Sequence, residues 1–459
     1  MNPPVPNVAA LPGRALRARA GAQLRRAALR VKLDPFRVFL FVLTVMTISR
    51  IHQHFKPIAM VRPALLMTAM AGLYAYLNPR LLAPEGLMKT WPGKVMVALG
   101  VLACLSVPFG ISIGNSGLFI IESYSKTLIF GFLVAVAIRG VKDLYAFVWA
   151  FVISTGLLVW MSLFVFGLEE SSFHAYRLND LYTYDANDVG LMVLVGAGLT
   201  LLTLQTSKGF PKFASAVILF GVGATIARTG SRGAFVGALA VGVTLLFLLR
   251  GVSVAKRMGF VAVATIALML YAPAGYWDQM NTLKDPKADY NWTARSGRKK
   301  VAQRGLGYMM SYPVFGLGIG NFGKAECTIS DIARNYRDGG LKCAAAHNSY
   351  IQAGAETGIP GMVLWTGAVL GGIGAMLRLR RRIPRAWARG DPEQRFLVQA
   401  PTYLAVSMIG FAVTSFFVSF AWMDPLYFLL ALMAGLYTSV ARKQRELQAS
   451  PAPLTPATS

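Results

Sequence analysis

Apolar segments of about twenty residues recur along almost the whole chain, and this repetition constrains the fold more than any other feature of the sequence. A helix that crosses a hydrocarbon layer of ~30 Å needs about 20 apolar residues at ~1.5 Å per residue. Inside lipid, only α-helices and closed barrels of alternating strands satisfy their own backbone groups, and the sequence shows no run of such strands. We therefore predict an all-α polytopic membrane protein.

The composition supports this prediction. The chain has 459 residues, of which 55% are hydrophobic and 14% charged, and its mean hydropathy is +0.51, outside the range of soluble domains. A formal net charge of +26 would suggest nucleic-acid binding in a soluble protein. Here Lys and Arg collect in short loops between apolar segments, so we interpret them as topology signals, with membrane lipids and no nucleic acid as partners.

Basic residues in these loops give the predicted topology. Twelve spans are predicted, near residues 36–50, 58–78, 94–110, 118–138, 144–168, 189–205, 213–227, 234–249, 258–275, 360–377, 396–420 and 425–441. If both termini lie inside, each even-numbered span ends in a basic cluster on the inside, as at Arg80, Lys89 and Arg378–Arg395. By the positive-inside rule this side is the cytoplasm.

Five segments follow from this topology. They are a basic cytoplasmic N-terminal segment (1–35), helices one to nine (36–275), an external loop (276–359), helices ten to twelve (360–441) and a cytoplasmic tail expected to be disordered (442–459). The first segment could be an amphipathic helix on the membrane surface or an unstructured tail. The long loop carries eleven Lys and Arg residues, and because loops beyond about sixty residues translocate largely regardless of charge, its basicity calls for a functional explanation.

Two arginine motifs lie on the predicted external side. Arg228-Thr-Gly-Ser-Arg232-Gly forms a turn between two apolar segments, where arginine is costly unless it is paired or reaches water. A guanidinium group binds two phosphate oxygens at once, so the turn suits an anion; snorkelling or headgroup binding is the alternative. Arg298 begins a predicted interfacial helix that leads to a glycine-rich turn at 313–322, and Lys299 and Lys300 fit a solvated face.

The third motif is His347-Asn348-Ser349, followed by Glu356 and Gly358. A histidine is suited to act as general base on a hydroxyl group. A lone histidine is more often structural, but this one shares the external side with both arginine motifs. Metal binding is not expected, because the four histidines are scattered and no spacing suits zinc.

Taken in order, these motifs resemble the O-antigen ligase and polymerase superfamily of bacterial envelopes. The resemblance covers about residues 185–361 in motif, including Thr-Gly-Ser-Arg232-Gly, Gly-Arg298, the glycine-rich turn and His347-Asn-Ser. It implies a glycosyltransferase without metal or other cofactor, at the periplasmic face of the bacterial inner membrane. Such an enzyme takes a glycan from undecaprenyl pyrophosphate and passes it to an acceptor hydroxyl.

The resemblance also implies residue roles. Arg232 and Arg298 would hold the pyrophosphate and His347 would act on the acceptor, and these three are the predicted catalytic residues. The predicted substrate-binding residues are Arg228, Asn187, Asp188, Asn348 and Glu356. The acceptor stays open among lipid A core, a growing polysaccharide and a protein, so a polymerase or a protein O-oligosaccharyltransferase of the same superfamily remains an alternative.

Two other classes also suit a chain of apolar helices. A polysaccharide or lipid transporter would fit twelve spans, but no pair of broken helices recurs at matching positions in two halves. A structural scaffold leaves the external arginines unexplained.

The cysteines give one further prediction. Cys327 and Cys343 share the long loop, while Cys104 lies in an apolar segment. Because the loop is predicted to face an oxidising compartment, we expect a disulfide between Cys327 and Cys343; two free thiols are the alternative.

Overall fold

The structure is a computed structural model that describes residues 34–170, 176–179, 183–248, 253–284, 297–335 and 343–449, together with residues 29, 181 and 294. The predicted apolar segments form twelve helices in this part of the chain. They are α1 (Pro35–Ser49), α2 (Pro63–Leu77), α3 (Trp91–Ser106), α4 (Ile113–Ala137), α5 (Val141–Phe164), α6 (Ala186–Thr206), α7 (Phe210–Thr229), α8 (Arg232–Leu248), α9 (Val254–Tyr271), α10 (Ser349–Arg382), α11 (Pro392–Thr414) and α12 (Asp424–Ala449).

Shorter elements join these helices. They are the helices Ile51–His54, Lys56–Met60, Glu85–Lys89, Tyr276–Asn281, Arg298–Ser311, Phe322–Thr328 and Asp331–Asn335, the 3₁₀ turns Pro79–Leu81 and Arg385–Arg389, and a π turn Ile120–Tyr124 inside α4. Strands β1 (Leu168–Glu170) and β2 (Tyr176–Leu178) pair antiparallel, with Glu169 opposite Arg177. The sequence analysis predicted helices alone and missed this hairpin.

Eight helices in the described residues are long and apolar enough to cross a membrane. They are α4, α5, α6, α7, α10, α11, α12 and the helical stretch Pro57–Leu77 that contains α2; α1, α3, α8 and α9 are shorter apolar helices. This architecture confirms the prediction of an all-α polytopic membrane protein. The count of twelve spans stays a prediction.

The core of the bundle is formed by α6, α11 and α12, whose apolar stretches are 78–83% buried. Small residues bring α6 and α11 together: Gly198 faces Ser407, whose hydroxyl donates to the carbonyl of Val195 at 2.8 Å. On α12, the hydroxyls of Tyr427 and Tyr124 lie 2.6 Å apart. By contrast, α2 is a peripheral helix whose apolar stretch is only 11% buried.

Contacts between the loops sort the helix ends into two sets. At one end, here called the basic end, fully buried Arg37 pairs with Asp34 and Asp143, and Lys443 pairs with Glu393 at 2.9 Å. The opposite end, here called the loop end, carries the described residues among 50–55, 165–170, 176–179, 183–185, 229–231, 272–284, 297–335, 343–348 and 415–423. The alternation of twelve spans that the loop charges predict stays a prediction.

Several predicted boundaries change. The predicted tenth span at 360–377 is part of a helix that already begins at Ser349 and is kinked at Thr357 and Gly358, so the loop ends at residue 348 rather than 359. The predicted disordered tail was wrong in its first part, because α12 continues to Ala449. The N-terminal segment before residue 34, apart from residue 29, and residues 450–459 lie outside the described residues.

Candidate active site

The loop end contains a recess within the helix layer. Helix α1 has 15 residues, or ~22 Å, which is shorter than a hydrocarbon layer of ~30 Å. Helix α12 begins at Asp424, whose Oδ1 accepts a hydrogen bond from Thr127 at 2.8 Å. Thr127 lies fourteen residues, or ~21 Å, after the first residue of α4. The segment 415–421 between α11 and α12 therefore lies deeper than the first residue of α4; Ser415, Val418, Phe420 and Ala421 in it are buried, while Phe416 is exposed.

The glycine-rich turn of the long loop enters this recess. Leu317 and Ile319 are fully buried, and the N–H of Ile319 donates to Ser106 Oγ at 3.1 Å. Gly318 has φ +87°, and a Cβ there would lie 2.7 Å from Ser116 Oγ. The glycines are thus needed for left-handed backbone and for close packing against α3 and α4.

The same turn supports the kink in α10. The N–H of Leu317 donates to the carbonyl of Ala355, and the N–H of Ile359 donates to the carbonyl of Pro313, both at 2.8 Å. These bonds replace helix bonds that are lost where Gly358 adopts φ +75°. The kink and the turn therefore form one unit, which ties the long loop to the first two turns of α10.

Glu356 holds this unit to the start of α12. It is 2% exposed; its Oε1 accepts the N–H of Phe322 at 3.1 Å, and its Oε2 accepts the indole N–H of Trp422 at 2.6 Å. The sequence analysis placed Glu356 among the substrate-binding residues. In the structure both carboxylate oxygens accept hydrogen bonds inside the protein, so Glu356 braces this unit, and its contact to substrate stays a prediction.

The first arginine motif forms the turn between α7 and α8. Gly230 ends α7 with φ +57°, and Ser231 caps α8 by accepting the N–H of Ala234 at 3.1 Å. Arg232, half-buried, donates from Nη1 to Thr282 Oγ1 at 2.7 Å. Arg228, also half-buried, donates from Nη2 to the carbonyl of Phe166 at 3.2 Å, and its buried Nε has no protein acceptor.

His347 lies just before α10 in an unusual backbone conformation. Its φ is +47°, in the left-handed region that L-residues rarely adopt, and its N–H donates to Ser419 Oγ at 2.8 Å. The next residue, Asn348, caps α10 by accepting the N–H groups of Tyr350 and Ile351 at 3.0 and 3.1 Å. Asn348 was predicted to bind substrate, and the structure uses its side-chain oxygen as a helix cap.

The segment 415–421 joins these two motifs. Beside Arg232, Gly233 packs so closely on this segment that a Cβ would lie 2.6 Å from Phe417 Cβ. On the other side, Ser419 binds His347, and Ser349 donates to the carbonyl of Val418 at 2.8 Å. The same seven-residue segment thus contacts His347 and Gly233, the neighbour of Arg232, although His347 and Arg232 are 115 positions apart in the sequence.

Arg298 approaches from the long loop. It is the first residue of the helix Arg298–Ser311 and is half-buried, whereas Lys299 and Lys300 are exposed. One turn later on the same face, Val301 is 1% exposed and belongs to a small apolar cluster with Ala346, which precedes His347. This face of the helix is therefore turned towards the segment that carries His347.

Asn187 and Asp188 lie in the first turn of α6, whose N-cap is Asp185. The Oδ1 of Asp185 accepts the N–H groups of Asn187 and Asp188 at 2.7 and 2.9 Å, and Asp188 Oδ2 accepts the N–H of Asp185 at 2.9 Å. This reciprocal arrangement is a capping box. The sequence analysis expected both residues to contact substrate, and the structure gives them a local role in starting the helix.

Sequence reasoning missed a polar cluster at the loop end. Arg50 Nη2 lies 3.2 Å from Asp424 Oδ2, and its guanidinium stacks 5.6 Å from the ring centre of Tyr184. Tyr184 donates to the carbonyl of Ile48 at 3.1 Å, and burial raises the pKa of Tyr184 to about 12. Arg50 and Asp424 are 374 residues apart, and the signal available was their position at the ends of two apolar segments.

The long loop contains a second missed cluster. Glu326, 2% exposed, accepts hydrogen bonds from Arg304 Nε at 2.9 Å and from the hydroxyl of Tyr308 at 2.8 Å. The hydrogen bond to Glu326 raises the pKa of Arg304, which stays charged. The structure also contains the Cys327–Cys343 disulfide, with Cα atoms 4.9 Å apart. Within the described residues, no group of three or more histidines, cysteines and carboxylates could hold a metal ion.

The helices and the site together define a class of protein: a multi-pass membrane protein with a polar site at one end of the bundle. Residues 214–366 match the family model described as O-Antigen ligase. The match begins in α7 and ends in α10, so it includes Arg228, Arg232, Arg298 and His347. This match confirms, for that part of the chain, the resemblance to the O-antigen ligase and polymerase superfamily that the motifs predicted. No curated protein matches the chain.

Proposed function

We propose that the protein is a membrane glycosyltransferase that moves a glycan from undecaprenyl pyrophosphate to an acceptor hydroxyl at the loop end of the bundle. The observation that supports this proposal is that the segment 415–421 contacts both the neighbour of Arg232 and the backbone of His347. Gly233, which follows Arg232, packs on Phe417, and the N–H of His347 donates to Ser419. Arg298 starts a helix whose Val301 belongs to the same apolar cluster as Ala346, the residue before His347. The match to the O-Antigen ligase family supports the same reaction class.

The proposed reaction needs a base and a group that stabilises the leaving pyrophosphate. The imidazole of His347 takes the proton from the acceptor hydroxyl, and the hydroxyl oxygen forms a bond to the anomeric carbon of the glycan. The bond between that carbon and the pyrophosphate oxygen breaks, and undecaprenyl pyrophosphate leaves with the electron pair. Arg232 and Arg298 stabilise the negative charge that develops on it, since guanidinium groups can bind two phosphate oxygens in a fixed geometry.

The other predicted substrate-binding residues divide into two groups in this proposal. Arg228 remains a donor contact, because it lies in the last turn of α7, just before the turn that leads to Arg232, and its buried Nε has no protein acceptor. Asn187, Asp188, Asn348 and Glu356 act through the backbone positions that they fix, not through contacts to the donor.

The recess suits an external site. The positive-inside rule places the basic end in the cytoplasm, so we propose that the loop end faces the periplasm of the inner membrane. The acceptor is lipid A core, a growing polysaccharide or a protein, and a polymerase and a protein O-oligosaccharyltransferase remain within the proposal. No specific contact favours the transporter alternative.

Substitution of the three residues tests the proposal. Lysine cannot reproduce the two-pronged contact of arginine, so Arg232→Lys and Arg298→Lys should each lower turnover on the order of a hundredfold, a few kcal/mol of transition-state stabilisation. His347→Ala should lose turnover and keep its affinity for undecaprenyl pyrophosphate, measured by thermal shift in detergent. Lys299→Ala, exposed on the same helix as Arg298, is the matched control and should retain activity.

Two results contradict the assignment. One is normal turnover by His347→Ala at equal expression. The other is equal damage from Lys299→Ala and Arg298→Lys, which would make the helix Arg298–Ser311 a surface for lipid headgroups.

A further inference from the structure

His347 is held in a conformation that its own backbone does not favour. Its φ is +47°, and only two other non-glycine residues of the described chain, Arg50 and Arg62, also have a positive φ. Residues 343–347 form neither helix nor strand, so helix hydrogen bonds do not fix this geometry. External contacts must therefore hold the imidazole in place.

One of these contacts joins His347 to the segment between α11 and α12. Its N–H donates to Ser419 Oγ at 2.8 Å, and the cap formed by Asn348 ties the next residues to α10. These bonds fix the C-terminal side of the short segment 343–347. They leave its N-terminal side to be fixed by another attachment.

The disulfide supplies that attachment. Cys343 precedes His347 by four residues, a stretch that reaches at most ~14 Å, and its sulfur is bonded to Cys327 on the helix Phe322–Thr328. The backbone of this helix also comes close to the segment, because a Cβ on Gly323 would lie 3.9 Å from Cys343 Cβ. The segment that carries His347 is therefore attached at both sides.

The helix that carries Cys327 is itself firmly anchored. Its first residue, Phe322, donates to Glu356 on α10, and its Glu326 accepts from Arg304 and Tyr308 on the neighbouring helix. Before it, the side chain of fully buried Asn321 donates to Ser116 Oγ at 2.9 Å. The disulfide thus connects the segment of His347 to a rigid part of the fold rather than to a mobile surface.

We propose that the Cys327–Cys343 disulfide positions His347, so that turnover depends on the oxidation state of this bond while donor binding does not. The inference rests on the proposed role of His347 as the base. Cys327 and Cys343 are positioning residues, since they act through the chain segment and touch no substrate. Reduction by a dithiol transfers two electrons and two protons to the bond and leaves two thiols.

Dithiothreitol treatment of the purified protein tests this proposal. The substrate is a lipid extract from a bacterial strain that lacks the gene for this protein, and this extract supplies lipid-linked glycan and acceptor. Donor affinity is measured with undecaprenyl pyrophosphate. Reduction should lower turnover about tenfold or more, because small misplacements of a catalytic group have large effects on rate. Affinity for undecaprenyl pyrophosphate should change less than about twofold, and reoxidation should restore turnover.

Two variants complete the design. The double variant Cys327→Ser/Cys343→Ser should have the same low turnover and be insensitive to dithiothreitol. Cys104→Ser, which removes the exposed free cysteine of α3, is the matched control and should keep both normal turnover and full sensitivity to dithiothreitol.

The outcomes separate this inference from the proposed function. Normal turnover by the double serine variant, with His347→Ala inactive, overturns the positioning role and leaves the proposed function intact. Normal turnover by His347→Ala overturns the proposed function. A parallel loss of turnover and of undecaprenyl pyrophosphate binding on reduction would also overturn the positioning role, because the disulfide would then stabilise the whole site.

Discussion

Replacing Glu356 separates a bracing role from a substrate contact. In Glu356→Ala, two buried donors lose their acceptor, the N–H of Phe322 and the indole N–H of Trp422. An unsatisfied buried donor costs about 1–3 kcal/mol, so two of them should lower the free energy of unfolding by about 2–6 kcal/mol. Glu356→Gln should be intermediate, because its carbonyl oxygen can accept one N–H while its amide nitrogen faces the other.

Thermal unfolding in detergent micelles measures the loss of stability. A double-mutant cycle with Trp422 shows whether it comes from the hydrogen bond between Glu356 and Trp422. Trp422→Phe should destabilise the wild-type protein by about 1–3 kcal/mol, the cost of leaving a buried hydrogen-bonding group without its partner. In the Glu356→Ala background the same change should cost much less, since the indole N–H has already lost its acceptor. Glu85→Ala, an exposed glutamate near the basic end, is the control and should change stability by less than about 0.5 kcal/mol.

The alternative gives a different pattern. If Glu356 contacts substrate, Glu356→Ala should lose turnover with an unchanged unfolding temperature. The effects of Glu356→Ala and Trp422→Phe on the free energy of unfolding should then be additive. That combination would refute the bracing role.

Two further predictions concern the glycine-rich turn and the topology. Gly318→Ala should destabilise the protein by about 1–2 kcal/mol or more, because its φ is +87° and the new Cβ would lie 2.7 Å from Ser116 Oγ. Gly307→Ala, with open space around it, is the control and should be neutral or stabilising in the same unfolding assay. Equal effects of the two substitutions would contradict the close packing of Gly318. Reporter fusions at residues 145, 253 and 388 should show cytoplasmic activity, and a fusion at residue 320 should show periplasmic activity, because only that orientation follows the positive-inside rule. A periplasmic signal at residue 388 would contradict the predicted topology.

The apolar spans and the order of the motifs could be predicted from the sequence, because both depend on local composition. The start of α10 could not. Residues 349–359 contain Glu356, Thr357 and Gly358 and precede Pro360, so their sequence predicts a loop. The backbone hydrogen bonds with Leu317 and Pro313 that make a kinked helix possible come from a distant part of the chain.

The roles of polar motif residues were equally hidden. Asn187, Asp188 and Asn348 sit beside functional motifs, yet each lies at a helix N-terminus, where Asn and Asp are also favoured as caps. Sequence position alone does not distinguish a cap from a ligand contact. The pairing of Arg50 with Asp424 depends on packing between the first and last helices, which no local pattern encodes.

Transfer by the purified protein tests the central claim most directly. The protein in detergent micelles, with EDTA and without any ion gradient, is incubated with the lipid extract from the gene-deletion strain, and glycosylated acceptor is detected by mass spectrometry. We expect product from the wild type and none from His347→Ala, since two arginines and a histidine supply the proposed chemistry. No product from the wild type under these conditions, with product restored by a divalent cation or by an imposed gradient, would contradict the account.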